Sequence, residues 1–262
     1  MKRIIFLSLI AAILFSGCKK NNLNEKNITG EKIPGYALVK FVNSYTALTP
    51  SLGVPANGPI VDFYINNQKM NGALGTAGMG YGFLFPNISG AFDQAPGGVV
   101  NIKAVLNRPT GVGGLASDTI TSNTFTLGPD VAHSIILVDT LPNPTPYNPI
   151  LMVVQESVSM PAYGKFKLRL MNLVATNEVY ELYNLTSSTL LNPGGINYKN
   201  FSDWIELPVT NISNTYQIRL AGTTSVMATA TLTGANQRSY TFWARGNPAV
   251  GKARTLSSYI SQ

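Results

Sequence analysis

The chain has one cysteine and one histidine in 262 residues, and only 12% of it is charged. Each scarcity excludes a class of chemistry. A single cysteine, Cys18, forbids an intramolecular disulfide, and with one imidazole there is no His/Cys ligand set for zinc or another soft metal. His133 has no G-x-S-x-G elbow to serve, which argues against a Ser-His-acid hydrolase. The six Asp and six Glu are scattered, without the alternating acidic spacing of a calcium loop. Gly72 to Gly78 is glycine-rich but lacks the strand-to-helix context of a phosphate-binding loop, so no cofactor is indicated. Basic residues run no further than the pair Lys19-Lys20, and the formal charge of +7 is mild for this length, so nucleic acid is not an expected partner.

What is present begins with an export signal. Lys2 and Arg3 form a positive start, followed by an apolar stretch from Ile4 to Phe15. That stretch is too short to cross a bilayer, which takes roughly 20 apolar residues. Phe15-Ser16-Gly17-Cys18 resembles the lipobox at which bacterial signal peptidase II cuts before a lipid is attached to the thiol, with Phe15 where an aliphatic residue is usual. Residues 1–17 are then a lipoprotein signal peptide and Cys18 is the lipidation site and first mature residue. The membrane is the partner this anchor implies, and two or three acyl chains hold durably where one does not. Residues 18–35 are polar and read as a flexible tether. Lys19 stands where an Asp would signal retention at the inner membrane, so the outer membrane is expected, with the facing side open.

The strongest internal signal is a repeat. Leu38-Val39-Lys40-Phe41-Val42-Asn43 matches Lys167-Leu168-Arg169-Leu170-Met171-Asn172, and Val61-Asp62-Phe63-Tyr64 matches Tyr180-Glu181-Leu182-Tyr183. Near the end of each copy, Ser134-Ile135-Ile136-Leu137-Val138 aligns with Ser239-Tyr240-Thr241-Phe242-Trp243. A period above 100 residues is a duplicated domain rather than a solenoid repeat.

Apolar residues alternate or form short runs rich in Val, Ile, Phe, Tyr and Thr, punctuated by Gly, Pro and Asn, which is a strand pattern. The first copy predicts strands at 37–43, 60–66, 81–85, 99–106, 119–127, 133–140 and 150–157. The second predicts them at 166–173, 178–185, 204–209, 215–221, 225–233, 239–245 and 253–260. The expected fold is all-β: two tandem immunoglobulin-like antiparallel β-sandwich domains, at 36–160 and 161–262, after the signal peptide.

The lipobox, the openings VKFVN and LRLMN, the strand VDFYIN and the closing SYTFWARG together resemble the bacterial lipoproteins that carry the domain of unknown function numbered 4397, which often occurs as two β-sandwich copies. The resemblance covers most of residues 36 to 262 and implies location and fold, without an established activity.

For binding, the candidates are aromatic and basic. Period two along 239–245 puts Tyr240 and Phe242 on one face and Thr241, Trp243 and Arg245 on the other. A Trp beside an Arg on an outward face is a platform for a sugar ring, and Trp204 beside Asp203 is a second candidate. Alternatively either Trp covers a seam between the two domains. Asp62 and Glu181 occupy equivalent strands and are read as solvent-facing, with a glycosidase pair the less favoured alternative. Asp118-Thr119-Ile120 and Asp139-Thr140-Leu141 resemble short O-glycosylation acceptors. The leading functional reading is a non-enzymatic envelope lipoprotein that binds a glycan, peptide or partner protein. A structural or assembly role is the alternative, followed by a glycan-active hydrolase accessory.

Overall fold

A computed structural model describes residues 33–46, 59–71, 78–88, 90–107, 119–140, 149–156 and 158–261. The expected signal peptide, Cys18 and most of the expected tether lie outside them. The described chain is built of strands: β1 (Tyr36–Asn43), β2 (Val61–Ile65), β3 (Gln68–Lys69), β4 (Leu84–Phe85), β5 (Asp93–Pro96), β6 (Gly98–Leu106), β7 (Thr119–Leu127), β8 (Ala132–Val138), β9 (Ile150–Gln155), β10 (Lys165–Val174), β11 (Tyr180–Asn184), β12 (Thr189–Leu190), β13 (Ile205–Pro208), β14 (Asn214–Leu220), β15 (Val226–Leu232), β16 (Ser239–Asn247) and β17 (Lys252–Ile260). A 3₁₀ turn over Pro248–Val250 joins the last two.

The strands form four sheets, ordered β4-β1-β8-β9 with β5 also on β1, β3-β2-β6-β7, β13-β10-β16-β17 and β12-β11-β14-β15. The same order therefore occurs in each half of the chain. Pairing is antiparallel except for β1 with β8 and β10 with β16, which run parallel. Those parallel pairs fix the correspondence of the repeats. Lys40 lies opposite Ser134, as Arg169 lies opposite Thr241, so Ser134 is equivalent to Thr241 and not to Ser239 as the sequence alignment has it. The slip is two residues, which leaves every side chain on its expected face.

Alternation along β1 decides two cores at once. Ala37, Val39 and Phe41 face β2 and β6, joining Phe63, Ile65 and Ile102 in one buried cluster. In the other half Leu168 and Leu170 of β10 join Tyr180, Tyr216, Ile218 and Phe242. A third cluster unites Val42, Ile136, Val138 and Val154 of the first half with Met171, Leu173, Trp243 and Tyr259 of the second. The sheets centred on β1-β8 and β10-β16 are thus packed back to back, each covered on its far side by an outer sheet. This explains why the four central strands read as apolar runs, since both faces of each are buried. β7 and β15, at the edges of the outer sheets, are polar and partly exposed instead.

The short strands β3 and β12 and the Pro-containing edge strand β5 carry no periodic signal that the sequence could reveal. The predicted strand 81–85 is reduced to Leu84–Phe85. Asn43 and Asn172, matched in the repeat, do the same work in both halves. Asn43 donates to the carbonyls of Pro59 and Met79 and accepts from the Tyr45 amide; Asn172 donates to Ile196 and accepts from Val174.

Candidate functional site

The face of β16 that carries Thr241, Trp243 and Arg245 does exist, and it points into the seam between the two central sheets. Trp243 is 1% exposed and packs in the shared third core, so its ring offers no platform to a sugar. The seam is polar at both ends and apolar in the middle, as period two along β1, β8, β10 and β16 dictates.

At one end stand the paired basic residues of the repeat. Arg169 is 3% exposed; its Nε donates to Thr241 Oγ1 at 2.9 Å and its Nη2 meets Glu156 Oε2 at 2.5 Å. Glu156 also accepts from Ser134 Oγ and Tyr259 Oη, which spreads its charge over three donors from both halves. The Arg169 guanidinium lies 4.5 Å from the Trp204 ring and 5.1 Å from that of Phe201. Trp204 is half-buried here and Phe201 is exposed, so these rings lid an ion pair. Lys40, the counterpart of Arg169, is fully buried with its ammonium 5.0 Å from the Phe92 ring and 5.9 Å from that of Tyr259. Among the described residues its Nζ reaches the carbonyls of Pro86 and Ile88, both at 3.5 Å. Burial pulls its pKa down to about 8, against the attraction of Glu156.

At the other end Asp139 is 2% exposed and accepts from the Thr46 amide and hydroxyl and from Asn247 Nδ2. Its backbone carbonyl accepts from Tyr198 Oη, so the Asp139-Thr140 acceptor suggested by the sequence lies at a buried junction. Arg245 is half-buried beside it. Its guanidinium lies 4.4 Å from the Trp243 ring and 5.8 Å from that of Tyr81, and Nη1 donates to Ser257 Oγ at 2.7 Å. Gly82, at φ +80, leaves room for this: a Cβ there would come within 2.8 Å of Arg245 Nε. Among the described residues no carboxylate pairs with Arg245. Burial lowers its pKa and raises that of Tyr81 to about 12. Among the described residues Trp243 Nε1 and Thr255 Oγ1 are buried without a hydrogen-bond partner, and Thr255 lies directly opposite Arg245 in the β16-β17 ladder, while the Tyr81 hydroxyl and the Arg245 guanidinium interact with each other.

Asp62, Glu181 and His133 hold loops and strands in place. Asp62 and Glu181 are each 7% exposed rather than solvent-facing. Asp62 pairs with Lys69 at 3.0 Å and accepts from Asn71 and Asn107, while Glu181 accepts from the amides of Gly194 and Gly222. They belong to the two outermost sheets, separated by the two central ones, and form no carboxylate pair. His133 is buried, donates from Nδ1 to the Val131 carbonyl and accepts the Gly128 amide at Nε2, and desolvation lowers its pKa. No group of three potential metal ligands occurs among the described residues. Sequence reasoning missed Tyr81, Thr255 and Ser257; only the β16-β17 register and the fold-back of the loop before β4 bring them to Arg245.

No family model matches the chain, and no curated protein matches it. Among solved structures it is similar to the Bacillus anthracis TIE protein, at 14% identity and a TM-score of 0.24, over 81% of this chain and 34% of that one. The chain thus spans about a third of that protein's length, and at this TM-score the likeness bears on neither fold nor function.

Proposed function

We propose that this chain is a non-enzymatic binding lipoprotein, anchored to the outer membrane through Cys18, and built from two copies of one β-sandwich unit that recognise their ligand at the Arg245 end of the seam. One observation carries the reading: among the described residues Arg245 is largely withdrawn from water and lies against aromatic rings without an acid, while Arg169, at the other end of the seam, has Glu156. A cation removed from water without a partner is costly, and a ligand that brings the partner recovers that cost. Asp62, Glu181 and the His133 imidazole are engaged in holding loops and strands, which supports binding over catalysis. Trp204 and Phe201 close the Arg169 end and form part of the same surface reading only as a hydrophobic rim.

Two experiments test the proposal. Glycan and peptide arrays probed with the mature protein should give hits that Arg245→Ala removes and Arg219→Ala leaves. Intact mass of membrane-extracted protein should show diacylglycerol on a chain beginning at Cys18, absent from Cys18→Ala; an unlipidated chain would refute the anchor.

A further inference from the structure

We infer that the group bound at Arg245 is a carboxylate, a deepening that rests on the binding reading above. Four observations converge on one spot. The guanidinium carbon lies 4.4 Å from the Trp243 ring centroid and the group packs close to Gly82, where a Cβ would come within 2.8 Å of Nε, so its position is set before any ligand arrives. Ser257 Oγ accepts from Nη1 at 2.7 Å, which leaves the Ser257 hydroxyl proton to donate elsewhere. Thr255 Oγ1, across the ladder, is a buried hydroxyl with no partner among the described residues, and the Tyr81 hydroxyl lies against the same guanidinium. Trp243 Nε1, in a side chain 99% buried, is an indole donor with no acceptor. Buried polar groups in folded proteins almost always find partners, and a cation without an acid, with the unpaired Thr255 hydroxyl opposite it on the ladder, calls for an acceptor-rich anion.

Charge and shape choose among anions. A carboxylate is planar and matches a guanidinium edge, and one negative charge balances one unpaired cation. A phosphate dianion would need a second cation. Arg254, the nearest arginine along β17, is already neutralised by Glu178 at 2.5 Å. Asp139 is close enough to perturb the Tyr81 hydroxyl, and its charge disfavours a multiply charged guest. The carboxylate can belong to an acidic sugar or to a peptide C-terminus, which share this chemistry.

The test is a ¹H–¹⁵N titration of the mature protein, following the indole signals of Trp243 and Trp204 and the Nε–H of Arg245. The probes are D-glucuronate against D-glucose, and N-acetylglycine against its amide. Saturable movement of Trp243 and Arg245 by a carboxylate probe is expected, with Kd on the order of 1 mM for so few atoms. The Trp204 signal should stay still, and Arg245→Lys should weaken binding by about tenfold, since a point charge does not match a planar partner. Glucuronate alone would place the ligand among acidic saccharides, N-acetylglycine alone among peptide termini. Equal response to D-glucose, to the amide, or in Arg245→Gln would overturn the inference, as would no response to either carboxylate. In those cases array hits that depend on Arg245 would still uphold the binding reading with an uncharged ligand, and their absence would sink both. Because Arg245→Gln could also loosen the seam, Ser257→Ala serves as a second variant: it keeps the guanidinium and should weaken the carboxylate probe severalfold.

Discussion

Replacing Lys40 with Met should make the protein more stable at neutral pH, and the gain should vanish in alkali. The ammonium is fully buried, has two long contacts to carbonyls, and meets no carboxylate within ion-pairing distance among the described residues. Its pKa falls from 10.5 to about 8 in the folded state, with burial the larger cause and Glu156 opposing it. Below pH 8 both folded and unfolded chains hold the proton, and the folded chain bears the full desolvation penalty. Between about 8 and 10.5 the unfolded chain holds the proton and the folded chain does not, so stability rises with pH. The span corresponds to about 3 kcal/mol. Met has a similar stem and no charge to bury, so Lys40→Met should gain about 1–3 kcal/mol at pH 7. At about 2–4 °C per kcal/mol that is a visible rise in Tm. Tyr259, which faces Lys40, is pushed further up by burial and stays neutral throughout this window. Urea unfolding of both proteins at pH 7, 9 and 10.5 would measure it. A pH-independent difference between the two, or a less stable Lys40→Met at pH 7, would refute the argument.

Removing Glu156 should do the opposite: Glu156→Gln leaves Arg169 buried without its acid and should cost about 3–5 kcal/mol, with Glu156→Gln/Arg169→Met recovering most of it in a denaturant double-mutant cycle. Trp243→Ala should cost about 3–5 kcal/mol by opening a cavity in the seam, whereas Trp204→Ala, on the rim, should cost clearly less; thermal unfolding compares them. Because the His133 pKa is lowered in the folded state, stability should fall as pH drops below about 6.5, where the unfolded chain takes up the proton first; His133→Gln should flatten that limb of the pH profile. Asn43→Ala and Asn172→Ala should each cost about 1–3 kcal/mol, since each leaves buried loop carbonyls or amides unpaired, and equal losses in chevron or equilibrium unfolding would reflect their equivalence.

Much of the architecture was legible. The strands around Phe41, Ile102, Leu170 and Phe242 follow from apolar runs broken by turn residues, and the matched Lys40/Arg169 and Asn43/Asn172 marked positions of equal structural role. Period two correctly put Trp243 and Arg245 on one face. What it could not say is whether that face meets water or another sheet, because an outward apolar position and a seam position have the same alternation. Asp62 and Glu181 were misjudged for a related reason. A carboxylate opposite the core face of an edge-near strand normally reaches solvent, but here Lys69, Asn71 and the Gly194 and Gly222 amides fold over it. Those partners come from turns, whose paths leave no periodic trace in the sequence.

The sequence by itself determined the strand-rich class and the recurrence of one pattern, because hydrophobic periods are local properties of the chain. Only the tertiary structure decided that the two central sheets lie back to back, that Arg169 has an acid and Arg245 has none, and that Lys40 is denied water. Those outcomes rest in part on contacts between residues more than 100 positions apart, such as Tyr259 with Glu156 and Asn247 with Thr46, and such pairings are set by packing of whole faces rather than by any local spacing.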